Sequence, residues 1–121
     1  MTEAGRRTIA IVDDDYAVRD SLRFLLDVAG YSAEVFASAA EFLKAEMRHI
    51  ACLILDHHMP EMTGLELAAQ LRAYGSAIPI LLVTGSPSPA IVARADELGI
   101  KVLEKPPDEN EVIDFIHDNR S

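Results

Sequence analysis

Three short runs of this chain carry no charged or polar side chain beyond a thiol: Ile9–Val12, Cys52–Leu55 and Ile78–Val83. Each is too short for a helix and rich in strand-forming residues, and a strand without a polar face must be covered on both sides. Two further runs, Ser32–Phe36 and Lys101–Leu103, are of the same kind but partly polar. Amphipathic stretches lie between all five. Strand and helix alternating in this way point to a parallel sheet with helices on both faces.

The helical stretches have readable ends. Val18, Leu22, Leu25, Leu26 and Ala29 form one apolar stripe, which Gly30 closes. Ser38 with Glu41 three residues on signals a capping box ahead of Phe42 and Leu43. Leu65, Ala68, Ala69 and Leu71 mark a third helix before Gly75, and Ile91, Ala95 and Leu98 a fourth before Gly99. Val112, Ile113 and Ile116 give a fifth, after the acidic first turn Asp108–Glu109. The predicted fold class is α/β: a flavodoxin-like (βα)5 doubly wound sandwich with right-handed crossovers and a parallel five-stranded sheet of order 2-1-3-4-5. A length of 121 residues, half of them apolar, suits one domain over residues 1–121, with a core from about 7 to 118 and no output domain.

The formal charge of −9 disfavours direct binding to nucleic acid or to an anionic membrane surface. The single cysteine, Cys52, excludes an internal disulfide and reads as a small buried hydrophobe. Met1–Arg7 is charged with no apolar h-region of roughly 7–15 residues after it, so it does not read as a secretory signal, and no apolar run approaches the ~20 residues of a membrane span. The expected location is cytoplasmic.

In sheets of this kind the site lies outside the carboxyl ends of the strands. That rule selects Asp13, Asp14, Asp56, Thr84 and Lys105. Carboxylates after the first and third strands repel one another unless a cation intervenes, and oxygen-only ligands suit Mg²⁺. On spacing alone Asp13 and Asp14 read equally well as metal ligands or as helix caps, and Asp15 reads as a cap. Thr84 and Lys105 add a hydroxyl donor and an ammonium, which is what an incoming phosphoryl group needs. With a carboxylate nucleophile and a divalent ion they complete an acceptor site.

The stretches Ile11–Asp15, Leu55–Gly64, Val83–Gly85 and Glu104–Pro106 resemble, in order, the signatures of response-regulator receiver domains of the CheY-like superfamily, in motif style the FixJ-type receivers. The similarity runs from about Arg7 to Asp118. It implies that Asp56 is the phospho-acceptor of a two-component or phosphorelay system. Asp14 and Asp56 would ligate Mg²⁺ directly with the backbone carbonyl of His58, and Asp13 would act through a metal-bound water. Thr84 and Lys105 would hold the phosphoryl oxygens, and a cis bond before Pro106 would aim Lys105 into the site. The implied partners are a sensor histidine kinase or phosphotransfer protein and an unidentified downstream protein. The expected role is a single-domain regulator (shuttle, sink or switchable binding partner) without turnover of an external substrate. A homodimer through the face of the fourth helix, fifth strand and fifth helix is compatible with this, and a receiver cut from a transcription factor is the alternative.

Some residues depart from the family. Val102 stands where receivers usually carry a Tyr or Phe that swings inward, and Pro107 where many have Phe. Two prolines stiffen Gly85–Pro89, ahead of a helix that looks short. His57 and His58 are expected to point apart and face solvent rather than share a metal, with His49 and His117 on the surface near helix ends. Asp56-His57-His58 also resembles the DHH phosphoesterases, and Asp13, Asp15, Thr84 and Lys105 the haloacid-dehalogenase-type phosphatases. Both need further metal ligands or another acidic motif, and neither accounts for Met59-Pro60 with Gly64.

Overall fold

A computed structural model describes residues 8–46 and 49–119. The readings of Met1–Arg7 and of the chain's last two residues therefore lie outside the described residues. The elements are β1 (Thr8–Val12), α1 (Tyr16–Val28), β2 (Ser32–Phe36), α2 (Ala39–Leu43), β3 (Ile50–Asp56), α3 (Gly64–Ala73), β4 (Ile80–Thr84), α4 (Pro89–Glu97), β5 (Lys101–Glu104) and α5 (Glu109–Asn119). All strand pairs are parallel and the order is β2-β1-β3-β4-β5, as the alternation implied. Among the described residues, no helix is long and apolar enough to cross a membrane. β4 begins later than its apolar run because Pro79 has no N–H for the ladder, although its carbonyl accepts the Leu53 N–H at 3.0 Å.

Side chains alternate across each strand and divide the core in two. Ile9, Ile11, Cys52, Ile54, Leu81, Val83 and Leu103 pack with Leu22 and Leu26 of α1 and Val112 and Ile116 of α5. Ala10, Val12, Leu53, Leu55, Ile80 and Leu82 pack with Phe42, Leu67, Leu71 and Ala95 of the helices on the other face. Each fully buried Leu or Ile contributes roughly 1.5–3 kcal/mol by leaving water. Burial also pushes the Cys52 thiol up to about 12, so it stays protonated and unreactive in the folded chain.

Helix ends follow the predicted signals with two changes. Gly30 takes φ +91°, donating its N–H to the Asp27 carbonyl while Tyr31 N–H bonds Leu26 O at 2.8 Å, which closes α1. Ala29 is the exposed cap residue, not part of the buried stripe. At α2 only half of the expected box forms: Ser38 Oγ accepts the Glu41 N–H at 3.1 Å, but Glu41 Oε1 accepts from Ala37, one residue ahead of the cap. The complete box is at α3, where Thr63 and Glu66 exchange hydrogen bonds of 3.1 and 2.9 Å.

α3 starts against the strand that carries Asp56. A Cβ on Gly64 would overlap the Asp56 carbonyl oxygen and lie 2.7 Å from Leu82 Cδ1. Only a glycine lets the helix begin there. Gly64→Ala is expected to cost about 1–3 kcal/mol in urea unfolding, as overpacking does, and to move the backbone amide signals of Asp56 and His57. An unchanged midpoint contradicts the close approach.

Candidate functional site

The strand alternation carries past the ends of the strands. Asp13 continues the Ile9–Ile11 row, Asp56 the Cys52–Ile54 row, and Lys105 follows two residues after Leu103. All three rows face α1 and α5, so three side chains on β1, β3 and β5 converge without any loop having to reach for them. Ligand atoms of Asp13, Asp14 and Asp56 lie within 4.8 Å of one another. Asp13 and Asp56 are buried at 3% and 4% exposure, whereas Asp14 is exposed.

Lys105 is the cation that answers them. Its Nζ sits 2.8 Å from Asp56 Oδ1, an oxygen sealed from solvent, and 3.6 Å from Asp13 Oδ2. Lys105 N–H bonds the Thr84 carbonyl at 2.9 Å, which ties its backbone to the end of β4, and the Lys105–Pro106 bond is cis, as the resemblance implied. Partial burial pulls the ammonium down, but the close ion pair with Asp56 and the charge of Asp13 outweigh it and hold Lys105 above its ordinary value. Asp13 is also raised, first by burial and then by Asp56, against the stabilising N–H of Asp15 at 2.9 Å.

A buried carboxylate pair at this range repels by on the order of 3 kcal/mol at an effective dielectric constant of ~20. The ammonium is near enough to offset that pair, but with exposed Asp14 three carboxylates face one cation and the edge stays net negative. The donor set is all oxygen, it is partly open at Asp14, and it suits Mg²⁺, which keeps waters and takes few protein carboxylates.

Thr84 is placed differently. It continues the Leu82 row, which faces α3 and α4, and is fully buried. Its Oγ1 accepts the Ser86 N–H at 3.3 Å. The hydroxyl thus lies on the far face of the sheet from Asp13, Asp56 and Lys105. Val102 shares that face, half-buried, beside Pro87, Val92 and Ala95 in a shallow groove between α4 and β5.

The histidines correct the sequence reading. His57 and His58 do not point apart: their rings meet edge to face with centroids 4.9 Å apart. His57 is half-buried and its Nδ1, closed to solvent, meets no hydrogen-bond partner among the described residues. Burial and then the charge of His58 lower His57, so it is neutral near pH 7. Neither ring belongs to the carboxylate group. His117 is exposed in the last turn of α5, while His49 precedes β3 and pairs with Glu34 at 3.3 Å.

Sequence reasoning passed over Arg19. Its Nη1 donates to the Asp13 carbonyl at 2.8 Å, and its guanidinium lies 5.6 Å from the Tyr16 ring centre. It fixes the turn from β1 into α1, where Asp15 caps the helix by accepting the Ala17 N–H. Nothing in the spacing marked Arg19, because it acts on a backbone oxygen.

The model of the response regulator receiver domain matches residues 9–117. The transcriptional regulatory protein FixJ of Bradyrhizobium diazoefficiens is 41% identical over 108 residues, covering 88% of this chain and 52% of that protein. The response regulator protein TodT of Pseudomonas putida is 39% identical over 110 residues, 89% of this chain and 48% of TodT. The chain spans about half the length of these relatives. The structure of the response regulator StyR superposes with a TM-score of 0.87 at 38% identity, over 95% of this chain and 59% of StyR.

The raised Asp13 sets a pH-dependent expectation. A carboxyl whose folded value is raised penalises the fold once ionised, so the penalty is full above the raised value and vanishes as pH falls below the ordinary 3.8. Asp13→Asn, which can still accept from Asp15, should stabilise the metal-free protein at neutral pH by roughly 0.5–2 kcal/mol, the range usual for relieving a functional site. The gain should disappear near pH ~4. Urea titrations in chelator at the two pH values test this, and a loss of stability at pH 7 contradicts it.

Proposed function

Because the chain belongs to the receiver family of two-component response regulators, we propose that it accepts a phosphoryl group on Asp56 from a phospho-histidine of a sensor kinase or phosphotransfer protein. The observation that carries this reading is the Lys105 ammonium, 2.8 Å from a buried Asp56 oxygen within a cluster of carboxylates. An Asp56 oxygen attacks phosphorus, the P–N bond of the donor breaks, and the donor imidazole leaves with the electron pair.

Asp14, Asp56 and the His58 backbone carbonyl would hold Mg²⁺ directly, with Asp13 acting through a water, and the ion would supply the positive charge that lets an anionic phosphoryl group enter. Lys105 then turns from the Asp56 carboxylate to a phosphoryl oxygen. Thr84 donates its hydroxyl to another, giving up its hydrogen bond with Ser86. The group adds roughly −1.5 to −2 charges at the sheet edge. The chain passes phosphate or a changed surface to a downstream protein and turns over no external substrate.

The signal needs a route that Val102 does not provide. Thr84 offers one: release of Ser86 frees the loop Gly85–Pro89, whose Ser88 caps α4 by accepting the Ile91 N–H at 3.2 Å. A population shift then spreads through α4 to the extent that the phosphoryl group favours one loop state.

Asp56→Asn should abolish incorporation from a small phosphodonor, and wild-type incorporation should require Mg²⁺. Lys105→Ala should slow it by about a hundredfold while circular dichroism stays native. Normal labelling of Asp56→Asn contradicts the assignment. Amide shift mapping of the phosphorylated chain should show changes running through residues 85–98, and large changes centred on Val102 instead contradict the loop route.

A further inference from the structure

Three of the most exposed large apolar side chains among the described residues lie on one helix: Tyr16, Phe24 and Val28 of α1, at 72%, 68% and 70%. With Asp20 between them they stand at i, i+4, i+8 and i+12, a single row along one flank. The opposite flank, with Val18, Leu22 and Leu25, faces a cleft walled by Pro107, Glu109 and Val112 on the α5 side. Tyr16, Asp20 and Phe24 of this row overlook a groove floored by Tyr31, Ser32 and Ala33, at the start of β2. β2 is an edge strand and nothing in the sheet pairs its outer side.

We propose that this α1–β2 flank is a self-association surface, on which a second copy of the chain docks about a two-fold axis. α1 packs chiefly on β2 and β1. A two-fold beside β2 continues the sheet and sets the second α1 antiparallel to the first, about two strand spacings or ~10 Å away, which is a normal distance for packed helices. A strand register centred on Ala33 places Ser32 opposite Glu34 of the second copy, so the two Glu34 carboxylates do not meet.

The charges on the flank fit a copy of itself. Asp20, Arg23 and Asp27 line it with the aromatics. An antiparallel pairing that sets Arg23 opposite Asp27 of the second copy makes the reverse contact by symmetry, with Phe24 beside the pair. The face of α4, β5 and α5 offers less: its one exposed large apolar side chain among the described residues is Val92, at 48%.

Size limits the strength. Tyr16 and Phe24 expose on the order of 300 Å² per copy, against about 800 Å² per partner in stable complexes. The dimer is therefore reversible and concentration-dependent. Each copy carries −9, so salt that screens this repulsion strengthens association. None of this depends on phosphorylation.

Sedimentation equilibrium of the unphosphorylated chain from about 20 μM to 1 mM, at low and high salt, tests it. The expected result is a monomer–dimer equilibrium that salt favours. Phe24→Glu should weaken it at least about tenfold, while Val92→Glu on α4 leaves it unchanged. Both positions are exposed, and circular dichroism checks that both variants fold. A monomer at every concentration overturns the proposal. So does a Phe24→Glu chain that dimerises like the wild type, or a dimer lost only in Val92→Glu.

Discussion

The ion pair between Lys105 and Asp56 decides what the rest of the site must be. Its 2.8 Å contact places one ammonium against carboxylates that the fold itself brings together. β1 and β3 are neighbours, both are buried on both faces, and Asp13 just past β1 and Asp56 at the end of β3 stand in the same register of side chains. The convergence is therefore built in with the sheet, and so is its electrostatic cost. One ammonium, on Lys105 just past β5, answers three carboxylates in the resting protein. The excess negative charge makes the edge receptive to a divalent cation and, through it, to an anion.

The same alternation explains why the site has two sides. Asp13, Asp56 and Lys105 follow rows that face α1 and α5, whereas Thr84 and Val102 follow rows that face α3 and α4. Charge is gathered on one side and can be read on the other. Thr84 is the hinge between them, because its carbonyl holds Lys105 and its hydroxyl holds Ser86. On the function proposed above, a change at Asp56 would reach α4 through that residue even though the strand beside it carries a valine.

Much of the fold was legible because its signals are local and periodic. Apolar runs with no polar face located the central strands, and the residues just past them were the candidate site. Family membership and sheet order agree with that reading. Part of what escaped was set by contacts distant in sequence or by the backbone. Leu67 and Phe115 are buried although they were left out of the stripes read from spacing, yet each stands at helical spacing from a buried neighbour, Leu67 from Leu71 and Phe115 from Val112, so that signal was present and unread. The His57–His58 contact lies in a loop in which Glu61 also takes φ +73°, and no residue type there announces either. Arg19 bonds a carbonyl, and carbonyls carry no sequence signal. The Thr63–Glu66 box, by contrast, was visible as Thr-x-x-Glu and was missed beside the louder Ser38–Glu41 pair.

If carboxylate repulsion governs the site, stability itself must report it. The most direct measurement is the free energy of unfolding in urea as Mg²⁺ is raised from zero, for the wild type and for Asp56→Asn. The wild type should gain stability in proportion to the logarithm of Mg²⁺ once the site fills. Asp56→Asn should start out more stable and gain far less. A wild-type stability that does not change with Mg²⁺, or an equal gain in the two proteins, would contradict the claim that charge at Asp56 organises this edge.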